Sequence, residues 1–304
     1  MRNNSDSAAY EAAILANSLT LPAIPGGVSE DLKVPIRVVG DWTQTIDLYA
    51  RPGIDRPRPA IVCLHGGGWS VGQAADYRQF ARLLAWRYDA VVASVSYRLI
   101  DRARFPTQIQ DAANGIRWLR AHAARLGIDT TRVGLLGASA GGYLTAMVAL
   151  THDRQDLAGG DAINGESAAV QAIVAQWGPL DFIARWYGNG GSPGAEAGLL
   201  GTVYTEDPAL YHYASALTYV HASYGHMKVP PALFIYGNHD RVVHPQQGEL
   251  ALAAWKRAGA PADLLRLDWI GHVQERPEDI EASRQATMEF MALRLDLKRR
   301  SSFP

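Results

Sequence analysis

Cysteine is almost missing from this chain: Cys63 is the only one in 304 residues. That excludes an internal disulfide and a cysteine-based metal cluster. Its place inside Ala60-Ile61-Val62-Cys63-Leu64 makes it a core residue. An excess of one charge is also missing. Lys and Arg number 29 against 30 Asp and Glu, and a net charge of −1 gives no long-range field to draw in nucleic acid or an anionic membrane. A small neutral partner suits that balance. Long apolar runs are lacking too. Met1-Arg2-Asn3-Asn4-Ser5-Asp6-Ser7 does not read as a secretory signal, and no later window is apolar for long enough to span a bilayer. The cytoplasm is the expected compartment, unless a signal was removed ahead of this sequence. There is neither an internal repeat nor a low-complexity tract, and Lys298-Arg299-Arg300 is too short a cationic run for a nucleic-acid patch.

What the chain does have is apolar content of 48%, enough to bury one large core, so a single domain over 1–304 is expected. Residues 1–33 read as a cap-like segment. Ala8, Ala12, Leu15 and Leu19 stand at helical spacing before Pro22 and Pro25-Gly26-Gly27 stop the pattern. Alternation over 34–39 and 45–49 predicts an antiparallel entry to a sheet. Buried strands are expected at 60–64, 90–95, 133–138, 170–175, 231–236 and 262–267, and helices at 76–88, 108–126, 246–258 and 277–297. The fold class is α/β: a mostly parallel central sheet with helices on both faces. Residues 177–229 break the series. They carry many aromatic rings and Gly188-Asn189-Gly190-Gly191-Ser192-Pro193-Gly194, and read either as an inserted lid or pocket wall or as rings packing a small core of their own.

The chemistry centres on Gly137-Ala138-Ser139-Ala140-Gly141-Gly142, where an apolar strand meets a helical pattern. A serine on such an elbow is strained and needs small neighbours. A glycine-rich turn with an idle serine stays open at this point; a dinucleotide fingerprint does not fit the glycine spacing. A serine nucleophile needs a base and an orienting carboxylate. Catalytic groups on such sheets gather at the carboxyl ends of strands. Asp240 follows one strand in Gly237-Asn238-His239-Asp240, and His272 follows the last in Gly271-His272. Asp240 also reads as a loop carboxylate or helix cap, with His239 and His244 as rival bases, and His272 as a surface histidine. A second glycine-rich stretch, His65-Gly66-Gly67-Gly68-Trp69, leaves backbone N–H groups free to face an oxyanion. Gly67 and Gly68, with Ala140, are the candidate donors, and His65 the residue that orients their loop. Trp69, Trp177 and Tyr143 are candidate pocket residues. No metal or other cofactor is expected.

The order Ser139, Asp240, His272 is that of an α/β hydrolase, and the chain resembles that superfamily over nearly its whole length. More narrowly it is similar to hormone-sensitive-lipase-like carboxylesterases and to the bacterial acetylxylan and feruloyl esterase-like group. The matching stretches are His65-Gly66-Gly67-Gly68-Trp69, Ser96-Tyr97-Arg98-Leu99, Phe105-Pro106 with Asp111, the elbow, 215–220, Gly237 with Asp240, and Gly271-His272. Ala138, where the lipase-like pattern has Asp, and Asp240-Arg241-Val242-Val243, where it has Asp-Pro-Leu, turn the likeness toward the feruloyl and acetylxylan group. The resemblance implies a cofactor-free serine esterase acting on a small-molecule ester, with Asp111 a structural carboxylate tying down the Tyr97-Arg98 loop. Kynurenine formamidases share the His-Gly-Gly turn and the Ser-Ala-Gly elbow, which leaves an aryl formamide open. A non-catalytic ligand receptor of the same fold typically lacks the histidine that stands here as His272. Nothing in the residues sets the oligomeric state, and a homodimer stays open.

Overall fold

A computed structural model describes residues 26–53, 55–160, 162–163, 165–222, 229–269, 271–272 and 276–299. The helix expected within the first 25 residues lies outside them. In chain order the elements are β1 (Ser29–Val39), β2 (Trp42–Ala50), β3 (Arg58–Leu64), α1 (Arg78–Arg87), β4 (Val91–Val95), α2 (Thr107–Ala121), α3 (Ala123–Leu126), β5 (Ile128–Ala138), α4 (Ala140–Thr151) and β6 (Ala172–Gln176). Four short helices follow: α5 (Phe182–Gly188), α6 (Ala195–Leu200), α7 (Pro208–Ala214) and α8 (Leu217–Ala222). The chain closes with β7 (Ala232–Gly237), α9 (Gln246–Arg257), β8 (Ala262–Leu267) and α10 (Pro277–Leu295).

The eight strands form one sheet in the order β1-β2-β4-β3-β5-β6-β7-β8. β1 and β2 enter antiparallel, and from β4 to β8 every pair is parallel. Side chains alternate across the strands, so the sheet has two apolar faces, as parallel sheets covered by crossover helices require. Ala60, Val62 and Leu64 of β3 pack in one cluster with α2, α4, α9 and the 177–222 insertion. Ile61 and Cys63 point the other way, into a cluster with α1 and α10. No helix among the described residues is long and apolar enough to cross a membrane.

Three departures from the sequence pattern have local causes. β1 begins at Ser29, so the expected 1–33 segment gives its last five residues to the sheet. Glu30, Asp31 and Lys33 conceal the strand because it is an exposed edge, bent where Lys33 takes φ +54° and its N–H donates to Asp47 Oδ1. The helix expected over 108–126 breaks at His122, whose ring stacks on Trp118 at 4.1 Å. Apolar spacing continues through the break, so periodicity does not register it. The helix expected from 76 starts as a 3₁₀ turn at Ala74–Tyr77 before α1 proper.

Asp111, fully buried on α2, fixes the loop that follows β4. Its Oδ2 accepts from the backbone N–H and the Nε of Arg98, at 2.9 Å each, and its Oδ1 from Arg98 Nη2 at 2.8 Å and Arg37 Nη2 at 2.5 Å. Gln44 spans the same junction, donating to the carbonyls of Ser96 and Asp111. Removing a carboxylate that two largely buried guanidinium groups share costs far more than an exposed pair would. Asp111→Ala is expected to lower stability by about 3 to 5 kcal/mol, read from the midpoint of urea unfolding.

Candidate active site

The elbow comes directly from the β5–α4 junction. Ser139 takes φ +54° and ψ −118°, a backbone conformation that costs a non-glycine residue about 1 to 3 kcal/mol and persists only where its surroundings enforce it. Here they do. The Ser139 N–H donates to the Gln176 carbonyl at 2.8 Å, and Gly141 lies so close to β3 that a Cβ on it would sit 2.0 Å from the Leu64 oxygen. The turn therefore lifts Ser139 half-exposed at the carboxyl end of the sheet.

Asp240 stands on the turn after β7 with its side chain closed off from solvent. Oδ1 accepts the N–H groups of Val242 and Val243 at 2.8 Å each, and Oδ2 accepts Nδ1–H of His272 at 2.8 Å. That bond leaves Nε2 of His272 to face the Ser139 hydroxyl, at 3.0 Å. Residues 139, 240 and 272, far apart in sequence, thus form one continuous hydrogen-bonded chain ending on a strained serine. The histidines beside Asp240 are engaged elsewhere: His239 stacks on Trp269 at 6.0 Å, and Nδ1 of His244 accepts the N–H of Gln246.

The glycine loop after β3 turns sharply. Gly67, Gly68 and Trp69 all have positive φ, and a Cβ on Gly67 would strike the Val71 carbonyl oxygen at 2.3 Å. Its own carbonyl accepts from Ser70 and Val71, which closes the turn. His65 anchors this loop from below. Fully enclosed, its ring stacks on Tyr97 at 4.1 Å and donates from Nδ1 to the Gly66 carbonyl, while the Tyr97 hydroxyl donates to the carbonyl of His65. Gly68 remains half-buried beside Ala195 of α6.

Two of the three expected pocket residues are placed differently. Tyr143 is fully buried one turn into α4, with its hydroxyl donating to the Ala214 carbonyl and its ring stacked on Phe182 at 4.8 Å. Trp69 is 1% exposed and meets the edges of Tyr143 and Phe182. Both join the insertion to the body of the fold and present no open wall; Trp177, half-buried, is the one of the three with accessible surface. Two charged residues that composition did not single out lie close by. Arg185 donates from Nε to Glu196 at 2.7 Å and from Nη1 to the carbonyl of Val242, next to Asp240. Their only signal in the sequence is a pair of opposite charges inside an aromatic-rich segment. Among the described residues no group of three or more His, Cys, Asp or Glu side chains is placed to hold a metal ion.

The BD-FAE family model matches residues 46–255, from β2 to α9, and so includes the elbow and Asp240. The chain belongs to the BD-FAE family. Among curated relatives of this BD-FAE chain, the esterase LipQ of Mycobacterium tuberculosis is 28% identical over 261 residues, which are 82% of this chain and 59% of LipQ. The carboxylesterase NlhH of the same organism is 35% identical over 128 residues, 41% of this chain and 40% of NlhH. The chain thus spans about half the length of these two relatives. Among solved structures, a truncated carbohydrate esterase from gut microbiota superposes with a TM-score of 0.75 at 21% identity, covering 91% of this chain and 99% of that one. A thermophilic esterase from Thermogutta terrifontis, Est2 with propionate bound, gives 0.70 at 22% identity, covering 90% and 96%. The fold of the BD-FAE chain is the α/β-hydrolase fold.

Burial pushes the His65 imidazole down from 6.5 to about 4, against a weaker upward pull from its bond to Gly66. The unfolded chain therefore takes up a proton here near pH 6.5, and the folded chain does not until about pH 4. The folded state loses stability as pH falls through that window, and above it the ring adds no pH dependence. In His65→Gln, the decline of the urea midpoint between pH 6.5 and about 4 should be shallower than in the parent. An unchanged slope would assign that decline to other groups.

Proposed function

We propose that this chain is a serine carboxylesterase acting on small to medium esters through an acyl-enzyme. The observation that carries the reading is the chain Ser139 Oγ, His272 Nε2 at 3.0 Å, and His272 Nδ1 to Asp240 Oδ2 at 2.8 Å. Ser139 Oγ attacks the ester carbonyl as its proton passes to His272 Nε2, giving a tetrahedral oxyanion. Backbone N–H groups of Gly67, Gly68 and Ala140 are the proposed donors to that oxygen, each worth about 3 kcal/mol in comparable sites. The C–O bond then breaks, and the proton on His272 goes to the departing alcohol. Water attacks the acyl carbon in turn, giving its proton to His272 Nε2. Collapse of the second intermediate releases the carboxylic acid and returns the proton to Ser139. Asp240 holds the imidazole in the tautomer that the first step needs.

Acetyl esters of carbohydrates are the substrate class we favour, supported by the likeness in fold to a carbohydrate esterase and to an acetyl ester-xyloside bifunctional hydrolase from Caldicellulosiruptor lactoaceticus; the likeness in sequence to LipQ and NlhH supports ester hydrolysis alone. The 177–229 segment, whose described residues 177–222 pack against α4 and meet the glycine loop at Gly68, is the proposed wall of the alcohol or acyl pocket, with Trp177 on it. Ser139→Ala should cut turnover of p-nitrophenyl acetate by about 10⁴- to 10⁶-fold with the melting curve unchanged, as in comparable triads. A fluorophosphonate probe should label the parent at Ser139 and leave the variant unlabelled. Turnover close to the parent's would overturn the assignment.

A further inference from the structure

Arg185 and Glu196 are an ion pair out of water, with side chains 6% and 0% exposed. Such a pair is a weak source of stability, because stripping two charges of water offsets much of their attraction. What it supplies is a fixed direction. Glu196 is itself held, its Oε1 accepting the N–H of Gly194 at 3.1 Å. The guanidinium fork then has one arm on Glu196 Oε2 and another on the carbonyl of Val242.

That carbonyl belongs to the same peptide plane as the N–H of Val243, which donates to Asp240 Oδ1 at 2.8 Å. In a trans peptide the C=O and N–H point in opposite directions across a rigid plane. A cation on the oxygen therefore fixes where the N–H points, and polarises it as a donor. Both members of the pair lie on the insertion, Arg185 on α5 and Glu196 on α6, and the Val242 carbonyl is the partner outside it. Ala195, between Gly194 and Glu196, touches the space beside Gly68, and the Leu199 carbonyl on the same helix accepts the N–H of Phe105. One unbroken series thus runs from α6 through Glu196, Arg185 and the 242–243 peptide to Asp240, His272 and Ser139.

We propose that Arg185 and Glu196 are positioning residues that set the carboxylate of Asp240 through the Val242–Val243 peptide, and so tie the alignment of His272 to the seating of the insertion. This rests on the reading of Ser139, His272 and Asp240 as a triad. The pair touches no substrate. It differs from a merely structural bridge in that its whole effect on turnover must pass through Asp240.

The test is a double-mutant cycle on the full chain with p-nitrophenyl acetate, using Ser139→Ala as the zero of activity. Arg185→Met combined with Glu196→Leu removes both charges at similar volume, so no buried charge is stranded. The expected result is a cooperative melt near the parent's, a KM close to the parent's, and a kcat lower by between about tenfold and a hundredfold, the size of effect a small misplacement of a catalytic group produces. In an Asp240→Asn background the same pair of changes should cost little further. If the double variant does not fold, Arg185→Lys serves instead. It keeps the charge beside Glu196 and gives up the fork, and it too should lower kcat in the parent and not in the Asp240→Asn background. A folded variant with the parent's kcat, or a cost that recurs in full in that background, overturns the proposal while leaving the triad standing. Undiminished activity in Ser139→Ala would instead remove the triad, and this proposal with it.

Discussion

A carboxylate closed off from water has to find every partner within the protein, and Asp240 does so with two backbone N–H groups on one oxygen and an imidazole on the other. Much else in the molecule follows from meeting that demand. The acid turn must fold back at Val242 and Val243, which fixes the direction of the second oxygen. The last strand must end where the loop to His272 can reach that oxygen. The imidazole, once bonded there, has a single nitrogen left, and it lies against the serine. An acid exposed to solvent would hold its histidine only loosely, since water competes for both oxygens.

The strain at Ser139 and the enclosure of Asp240 are two costs met by one sheet. β3, β5 and β6 are bonded along their length, and the Leu64 and Gln176 carbonyls at their ends crowd and hold the elbow. β7 and β8 run parallel beside them and deliver the acid and the base to the same rim. The insertion packs against the elbow helix beside that rim. Its rings do not form a separate core: Phe182 and Tyr211 are fully buried in the cluster that also holds Tyr143 and Leu144 of α4. Movement of the insertion is therefore opposed by the packing of the elbow helix itself.

The strand-and-helix series and the Ser139, Asp240, His272 order were legible because both are written in short-range pattern. Buried parallel strands are runs of apolar residues, and their carboxyl ends are where polar loop residues stand out. The last strand coincides with the apolar run 262–267 residue for residue. Patterns fail where a feature depends on what lies across space. Trp69 and Tyr143 looked like pocket residues because large rings near a motif suggest a wall, yet their burial is decided by Phe182, which is remote in sequence. The Arg185 and Glu196 pair has no periodic signature, and its meaning depends on a carbonyl more than forty residues downstream. The start of β1 was hidden for the opposite reason: an edge strand exposed on most of its length has no need to be apolar.

That same edge has a consequence for the molecule as a whole. A sheet ending in an open strand is a template on which a second chain can add, residue by residue, toward a fibre. β1 is a poor template. It carries Glu30, Asp31 and Lys33, its pairing with β2 shifts twice, between Asp31 and Val34 and again between Pro35 and Arg37, and Glu30 is drawn back onto Arg78 and Arg82 of α1. An incoming strand would meet ionised side chains, a missing N–H at Pro35 and a twisted ladder. An exposed, charged edge strand therefore guards the apolar sheet behind it against polymerising.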